Sequence, residues 1–199
     1  IEQTSGVTSK LNSASMIGNF QPSQVWICGD AGVVLKSNNQ GSVWLNMSGN
    51  GIPSNVNLVS ISCKAIDTAV TAGNIGTTSY VYRTVNGGLN WTQVFSQANG
   101  KINAVWMRNA LLGFMAGDPV GGRWSVFKTT NGGINWDSTG LFLPQAGSET
   151  GFHNSFFVSN NANNIWIGTN NMRIYYSSNS GINWTVQSTS PEQNTYFIT

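Results

Sequence analysis

The sequence predicts an all-β chain, a β-propeller of four-stranded antiparallel blades, and three observations predict it. An eight-residue frame closed by tryptophan returns four times, at Trp44, Trp91, Trp136 and Trp184, with spacings of 47, 45 and 48 residues. Strand-length apolar runs precede every frame. Glycine, 23 residues in all, punctuates them. Together these exclude a helical solenoid, and four short strands in a unit of about 45 residues are the signature of a propeller blade.

The frames read Ser37-Asn38-Asn39-Gln40-Gly41-Ser42-Val43-Trp44, Thr84-Val85-Asn86-Gly87-Gly88-Leu89-Asn90-Trp91, Thr129-Thr130-Asn131-Gly132-Gly133-Ile134-Asn135-Trp136 and Ser177-Ser178-Asn179-Ser180-Gly181-Ile182-Asn183-Trp184. Each is expected to be a hairpin turn. The Asn hydrogen-bonds its own turn, the Gly takes a positive φ, and the Trp opens the return strand. A third strand ends at each frame, and ten residues before each Trp stand Val34, Val81, Val126 and Ile174. A second strand runs to Gly29, Gly73, Gly117 or Gly168, which read as strand stops. First strands fall at 14–17, 58–62, 102–107 and 155–158. The blades span about 14–48, 56–96, 101–139 and 153–188, and 194–199 starts a further one, so a segment of a larger ring is expected. Ile1 stands where a Met would, which suggests a mature, processed or partial chain. The exposed blade edges would then be covered by the rest of the chain or by another subunit.

Composition narrows the function. With 40% hydrophobic and 11% aromatic residues the chain can bury a core. Only 8% is charged, against roughly 25% in soluble domains. The net charge of +2 contains no basic run, so nucleic acid is an unsuitable partner. No segment reaches the roughly 18–20 apolar residues of a membrane span. The polarity comes from Asn, Ser, Thr and Gly, a composition associated with secreted or cell-surface proteins. Cys28 and Cys63 are the only cysteines; a bridge is conceivable, and two inert buried thiols are the alternative.

The frame resembles the Asp-box of sialidase-like repeat proteins, whose pattern is Ser/Thr, any, Asp, any, Gly, two of any, then Trp. Asn39, Asn86, Asn131 and Asn179 stand where that pattern has Asp, which keeps the turn bonds and leaves no charge for a cation. Gly41, Gly88, Gly133 and Gly181 fill its glycine position. The run Ala116-Gly117-Asp118-Pro119-Val120-Gly121-Gly122-Arg123, leading to Lys128-Thr129-Thr130-Asn131, is similar to the photosystem II assembly factor family and its exported bacterial relatives. The resemblance covers about 14–190 and implies a propeller scaffold.

Strand alternation puts the loop between second and third strands on the face opposite the frames. The distances from Gly29, Gly73, Gly117 and Gly168 to the next frame Trp are 15, 18, 19 and 16 residues, so length variation is assigned to those loops, where binding is usually placed. That face is expected to display Asp30, Asn74, Asp118, Arg123, Trp124, Asn170, Asn171 and Arg173, with Gln145 and Glu149 from the connection 139–151. An exposed Trp124 among amides would suit a sugar. The structural alternative is that Asp30 and Asp118 cap turns and Trp124 packs in the core. The frame tryptophans with Trp26, Trp106 and Trp166 read as packing. His153 reads as a polar loop residue, and Lys36, Arg83 and Lys128 as solvated strand ends. Asn46-Met47-Ser48, Asn90-Trp91-Thr92 and Asn183-Trp184-Thr185 match the glycosylation sequon, two of them as a by-product of the frame.

A glycoside hydrolase needs two carboxylates about 5–9 Å apart, and only Asp30, Asp118 and Glu149 are candidates. The sialidase resemblance implies three arginines and a tyrosine nucleophile. Arg83, Arg108, Arg123 and Arg173 give no such constellation. The expectation is a non-catalytic, extracytoplasmic propeller without metal or cofactor that binds a protein or a glycan. The alternatives are the propeller portion of a carbohydrate-active enzyme and a subunit of an extracellular assembly.

Overall fold

The computed structural model describes residues 3–18 and 23–189. Fifteen strands form four antiparallel sheets, with no helix among the described residues. The first sheet is β1 (Leu11–Ile17), β2 (Gln24–Gly29), β3 (Val34–Ser37) and β4 (Leu45–Asn46). The second is β5 (Asn57–Ala65), β6 (Thr68–Ile75), β7 (Thr78–Thr84) and β8 (Thr92–Gln97). The third is β9 (Ile102–Met107), β10 (Gly113–Val120) and β11 (Arg123–Thr129). The fourth is β12 (Gly151–Val158), β13 (Ile165–Thr169), β14 (Arg173–Ser177) and β15 (Thr185–Ser188). Strands pair in chain order within each sheet, and the sheets pack in succession through β1, β5, β9 and β12. The expected strand at 194–199 lies outside the described residues.

The third sheet departs from the expected four strands. Its outer position holds one bridge, Lys128 to Asp137, before the chain leaves the sheet and returns to bridge Arg123 with Pro144. Two causes are visible. Leu141 is drawn into the core between the third and fourth sheets, and Pro144 has no amide proton for a ladder.

The same four bonds build every frame. In the third, Asn131 N (3.4 Å) and Gly133 N (2.9 Å) donate to Thr129 Oγ1, the Thr129 hydroxyl donates to Asn131 Oδ1 (3.0 Å), and Asn135 N donates to that same oxygen (3.0 Å). The pattern repeats on Ser37/Asn39, Thr84/Asn86 and Ser177/Asn179. One Asn oxygen serves throughout, so an amide does the work of a carboxylate. The following glycines, Gly41, Gly88, Gly133 and Gly181, have φ of 84–87°, a left-handed conformation that glycine adopts without cost. The rings of Trp44, Trp136 and Trp184 lie over Gly41, Gly133 and Gly181, where a side chain would meet them. Trp91 instead packs edge-on against Trp26, and both are buried.

Three expectations are corrected. Gly73 and Gly117 are not strand stops, since β6 and β10 run past them, whereas β2 does end at Gly29. A Cβ at Gly29, Gly73 and Gly117 would fall 2.1 Å from Lys10 O, 2.7 Å from Asn57 O and 2.2 Å from Lys101 O, so glycine is needed for close approach of the neighbouring first strand. Register places Gly168 opposite Ile174 and Ala116 opposite Val126, which makes Thr169, not Gly168, the equivalent of Gly117. The extra length of the second and third units lengthens hairpins rather than loops: β6–β7 and β10–β11 close on Gly76-Thr77 and Gly121-Gly122.

The pre-frame cations are not solvated ends. Lys36 is buried, lies over the Trp26 ring at 5.1 Å and pairs with Asp67 of the second sheet. Arg83 Nε donates to Gly132 O of the third frame (2.6 Å), and Lys128 lies over Phe114 at 5.7 Å. Between sheets, Ser15, Ser60 and Ser62 Oγ accept from Cys63 N (3.1 Å), Val105 N (3.0 Å) and Met107 N (2.9 Å), occupying amides that a first strand would otherwise leave unpaired at its edge. Cys28 and Cys63 are free, buried thiols.

Candidate functional site

Each frame joins the third strand of its sheet to the outer edge, so the start of each first strand and the second hairpin meet on the opposite face. Asp30, Asn74, Asp118 and Asn170 occupy one register position there, directly after Gly29, Gly73, Gly117 and Thr169. Their side-chain oxygens are committed to the scaffold. Asp30 Oδ1 accepts from Asn12 Nδ2 (2.8 Å), which also donates to Leu58 O of the next sheet (2.8 Å). Asn74 Oδ1 accepts from the Ser79 hydroxyl (2.8 Å). Asp118 Oδ1 accepts from Asn103 Nδ2 (2.9 Å) and from Gly151 N of the next sheet (3.0 Å), and Asn170 Oδ1 accepts from Thr150 N (2.8 Å). This ring of four side chains fastens the strand entries.

Trp124 is not displayed. It is 1% exposed, packed edge-on against Tyr175 with centroids 5.9 Å apart, because its place on β11 faces the fourth sheet. The stacking role expected of it is withdrawn. Glu149, also expected at the surface, is 1% exposed. Its Oε1 accepts from the Tyr175 hydroxyl, from Ala146 N (2.9 Å) and from Trp124 Nε1 (3.4 Å), and Arg173 pairs with Oε2 at 3.4 Å. Gln145 Nε2 donates to Glu149 O (3.0 Å). Burial first, then the bond to Glu149, pushes the Tyr175 phenol well above its usual range, so it is a poor nucleophile. Asn171 is exposed and donates its backbone N to Thr169 Oγ1 (3.2 Å).

What the strand entries do bring together is a cluster that sequence reasoning missed. Lys10 precedes β1, Lys101 precedes β9, and His153 lies near the start of β12; all three are exposed. Crowding by the strand ends lowers the His153 pKa, a bond with the Asn103 backbone and the charge of Asp118 raise it, and Lys10 and Lys101 lower it. These opposed charges reach one imidazole of the fourth sheet from the first and third sheets. The rim thus presents two ammonium groups, one imidazole and one carboxylate around the start of the inner strands. Among the described residues no group of three His, Cys, Asp or Glu side chains could hold a metal ion, and no helix is long and apolar enough to cross a membrane.

Known structures share this arrangement of sheets. YCF48 bound to a D1 peptide matches 98% of this chain and 88% of its own, with 12% identity and a TM-score of 0.54. The fold is a β-propeller. The GH74 xyloglucanase from Xanthomonas campestris matches 94% of this chain at 11% identity and a TM-score of 0.66, over 31% of its own length. An extracellular domain assigned to a one-component system from B. thetaiotaomicron matches 92% at 14% identity and 0.59, over 23% of its length. Identities this low carry the fold alone. No family model and no curated relative matches the sequence.

Proposed function

We propose that this chain is a non-catalytic, extracytoplasmic binding propeller of the Asp-box kind, which takes an acidic polypeptide segment across the rim of Lys10, Lys101, Asp118 and His153. One observation carries it: charged groups from the first and third sheets act on an imidazole of the fourth, on one face of a molecule that is otherwise poor in charge. The candidate catalytic carboxylates are bonded into the scaffold, and the Tyr175–Glu149 pair is buried with its phenol hard to ionise. Burial of Trp124 removes the aromatic platform a glycan would use at this face, and a propeller of like fold has been seen with a peptide bound. Extracytoplasmic placement is supported by the composition and by likeness to an extracellular domain.

The test is selection from a library of extended peptides and a glycan array, on the native chain and on Lys10→Glu/Lys101→Glu. Acidic peptides should be retained, with affinity falling at least about tenfold in the double variant and with added salt. Retention of glycans alone, or peptide binding indifferent to the double variant, sinks the reading.

A further inference from the structure

The interrupted outer strand of the third sheet leaves a space beside β11. Between the bridges at Lys128–Asp137 and Arg123–Pro144, no strand among the described residues pairs with the outer side of β11. In the second sheet, β8 pairs along β7 from Ser79 to Arg83 and fills the corresponding place. The outcome is a cavity of about 240 Å³ lined by Gln97, Arg123, Trp124, Ser125, Phe127 and Ser138.

Three features of the lining specify what would fill it. Arg123 rests over the Phe142 ring at 5.5 Å and makes a long contact from Nη2 to Ser138 O (3.5 Å), and its guanidinium has no carboxylate within ion-pair distance among the described residues. Ser125 Oγ and Gln97 Oε1 are buried polar atoms without a partner among the described residues, a state that is costly to leave unrelieved. Phe127 supplies an apolar wall. A filling molecule therefore brings an anion for the guanidinium, hydroxyl groups that bond to Gln97 Oε1 and Ser125 Oγ once those two side chains rotate toward the cavity, and a C–H face for the Phe127 ring. Inorganic phosphate supplies the anion without the apolar face. A neutral hexose leaves the guanidinium unmatched, and an aliphatic acid leaves both polar atoms unsatisfied.

We infer that this cavity is a binding site for one hexuronate ring, free or at the end of an acidic glycan. The site is separate from the rim of the proposed function and holds or fails independently of it. Its ligand contacts are a fork from Arg123 to the carboxylate, hydroxyl bonds to Gln97 and Ser125, and packing on Phe127.

Amide chemical shifts of the full chain, titrated with glucuronate, galacturonate, glucose, acetate and glutamate, decide it. A hexuronate should saturate with a Kd of about 1 mM, as a ligand of this size allows, with glucose, acetate and glutamate at least about tenfold weaker. Arg123→Met should lose the hexuronate response at least about tenfold while unfolding at the native midpoint, since the side chain is only half-buried. Arg123→Lys, which keeps the charge and lacks the fork, should be intermediate and guards against a folding defect. Lys10→Glu/Lys101→Glu should bind hexuronate as the native chain does. No saturable response to either hexuronate, an equal response to acetate or glutamate, or one that survives Arg123→Met, overturns the assignment.

Discussion

Replacing Thr129 by valine, beside Asn131→Ala and Asn131→Asp, separates the two oxygens of a frame. Thr129 is 1% exposed, and its Oγ1 is the acceptor for Gly133 N, itself buried (2.9 Å). Valine keeps the shape and leaves that amide unmatched inside the protein, at a cost of about 2–3 kcal/mol. In Asn131→Ala the orphaned amide is Asn135 N, on an exposed residue where water replaces the lost oxygen, and the cost is about 1 kcal/mol. Asn131→Asp retains the oxygen that does the bonding, and its cost is about zero. Urea unfolding of the full chain reads all three as shifts in midpoint at constant slope. The reasoning fails if Asn131→Ala costs as much as Thr129→Val, or if Asn131→Asp costs as much as Asn131→Ala. Rim binding should be unchanged in each, and loss of affinity at native stability would show that the frames contact a ligand.

Two further outcomes are expected. The Asp67 carboxyl is held below its usual value of 3.8 by hydrogen bonds from Lys36 first and Gln24 second, so the folded pKa is the lower one. Its contribution is therefore present above pH 3.8 and is lost as pH falls below it; because Asp67 is half exposed, Asp67→Asn should cost only about 1 kcal/mol at neutral pH and flatten the acid limb of stability against pH, and an unchanged acid limb counts against the pairing. For the thiols, burial pushes Cys28 up to about 12 and raises Cys63 as well. Iodoacetamide at neutral pH should modify neither in the native chain and both in denaturant, and rapid labelling of the native protein would contradict their burial.

The frames were legible because their chemistry is local: a hydroxyl, an amide oxygen and a glycine within eight residues close a turn wherever they occur. Register was not. Gly168 looked like the partner of Gly117 because both follow an apolar run, and only the pairing of Ile174 with Gly168 shows the shift by one residue. The Gly121-Gly122 pair looked like a loop apex beside an exposed Trp124. It is a tight hairpin whose next residues already belong to β11, so Trp124 turns into the core. Asp30, Asn74, Asp118 and Asn170 were found as polar groups on the right face, but their bonds to Asn12, Ser79, Asn103 and Thr150 depend on contacts that no local pattern encodes.

The rim gains its weight from scarcity. The chain has nine Lys and Arg, and five are bonded into the scaffold or packed on it: Lys36 to Asp67, Arg83 to Gly132 O, Arg108 to Asn160 O, Lys128 over Phe114, and Arg173 to Glu149. Arg123 faces the cavity. Of the three that remain without an ion pair or side-chain hydrogen bond among the described residues, Lys10, Lys64 and Lys101, two act on the same histidine. Random placement of three surface lysines on four sheets gives no reason for that. An acidic segment laid beside that imidazole meets both ammonium groups and gains affinity from the same arrangement. Exchanging both lysines for glutamate should therefore reverse the charge preference of the rim as well as abolish acidic-peptide binding, a change of sign that a loss of fold does not produce.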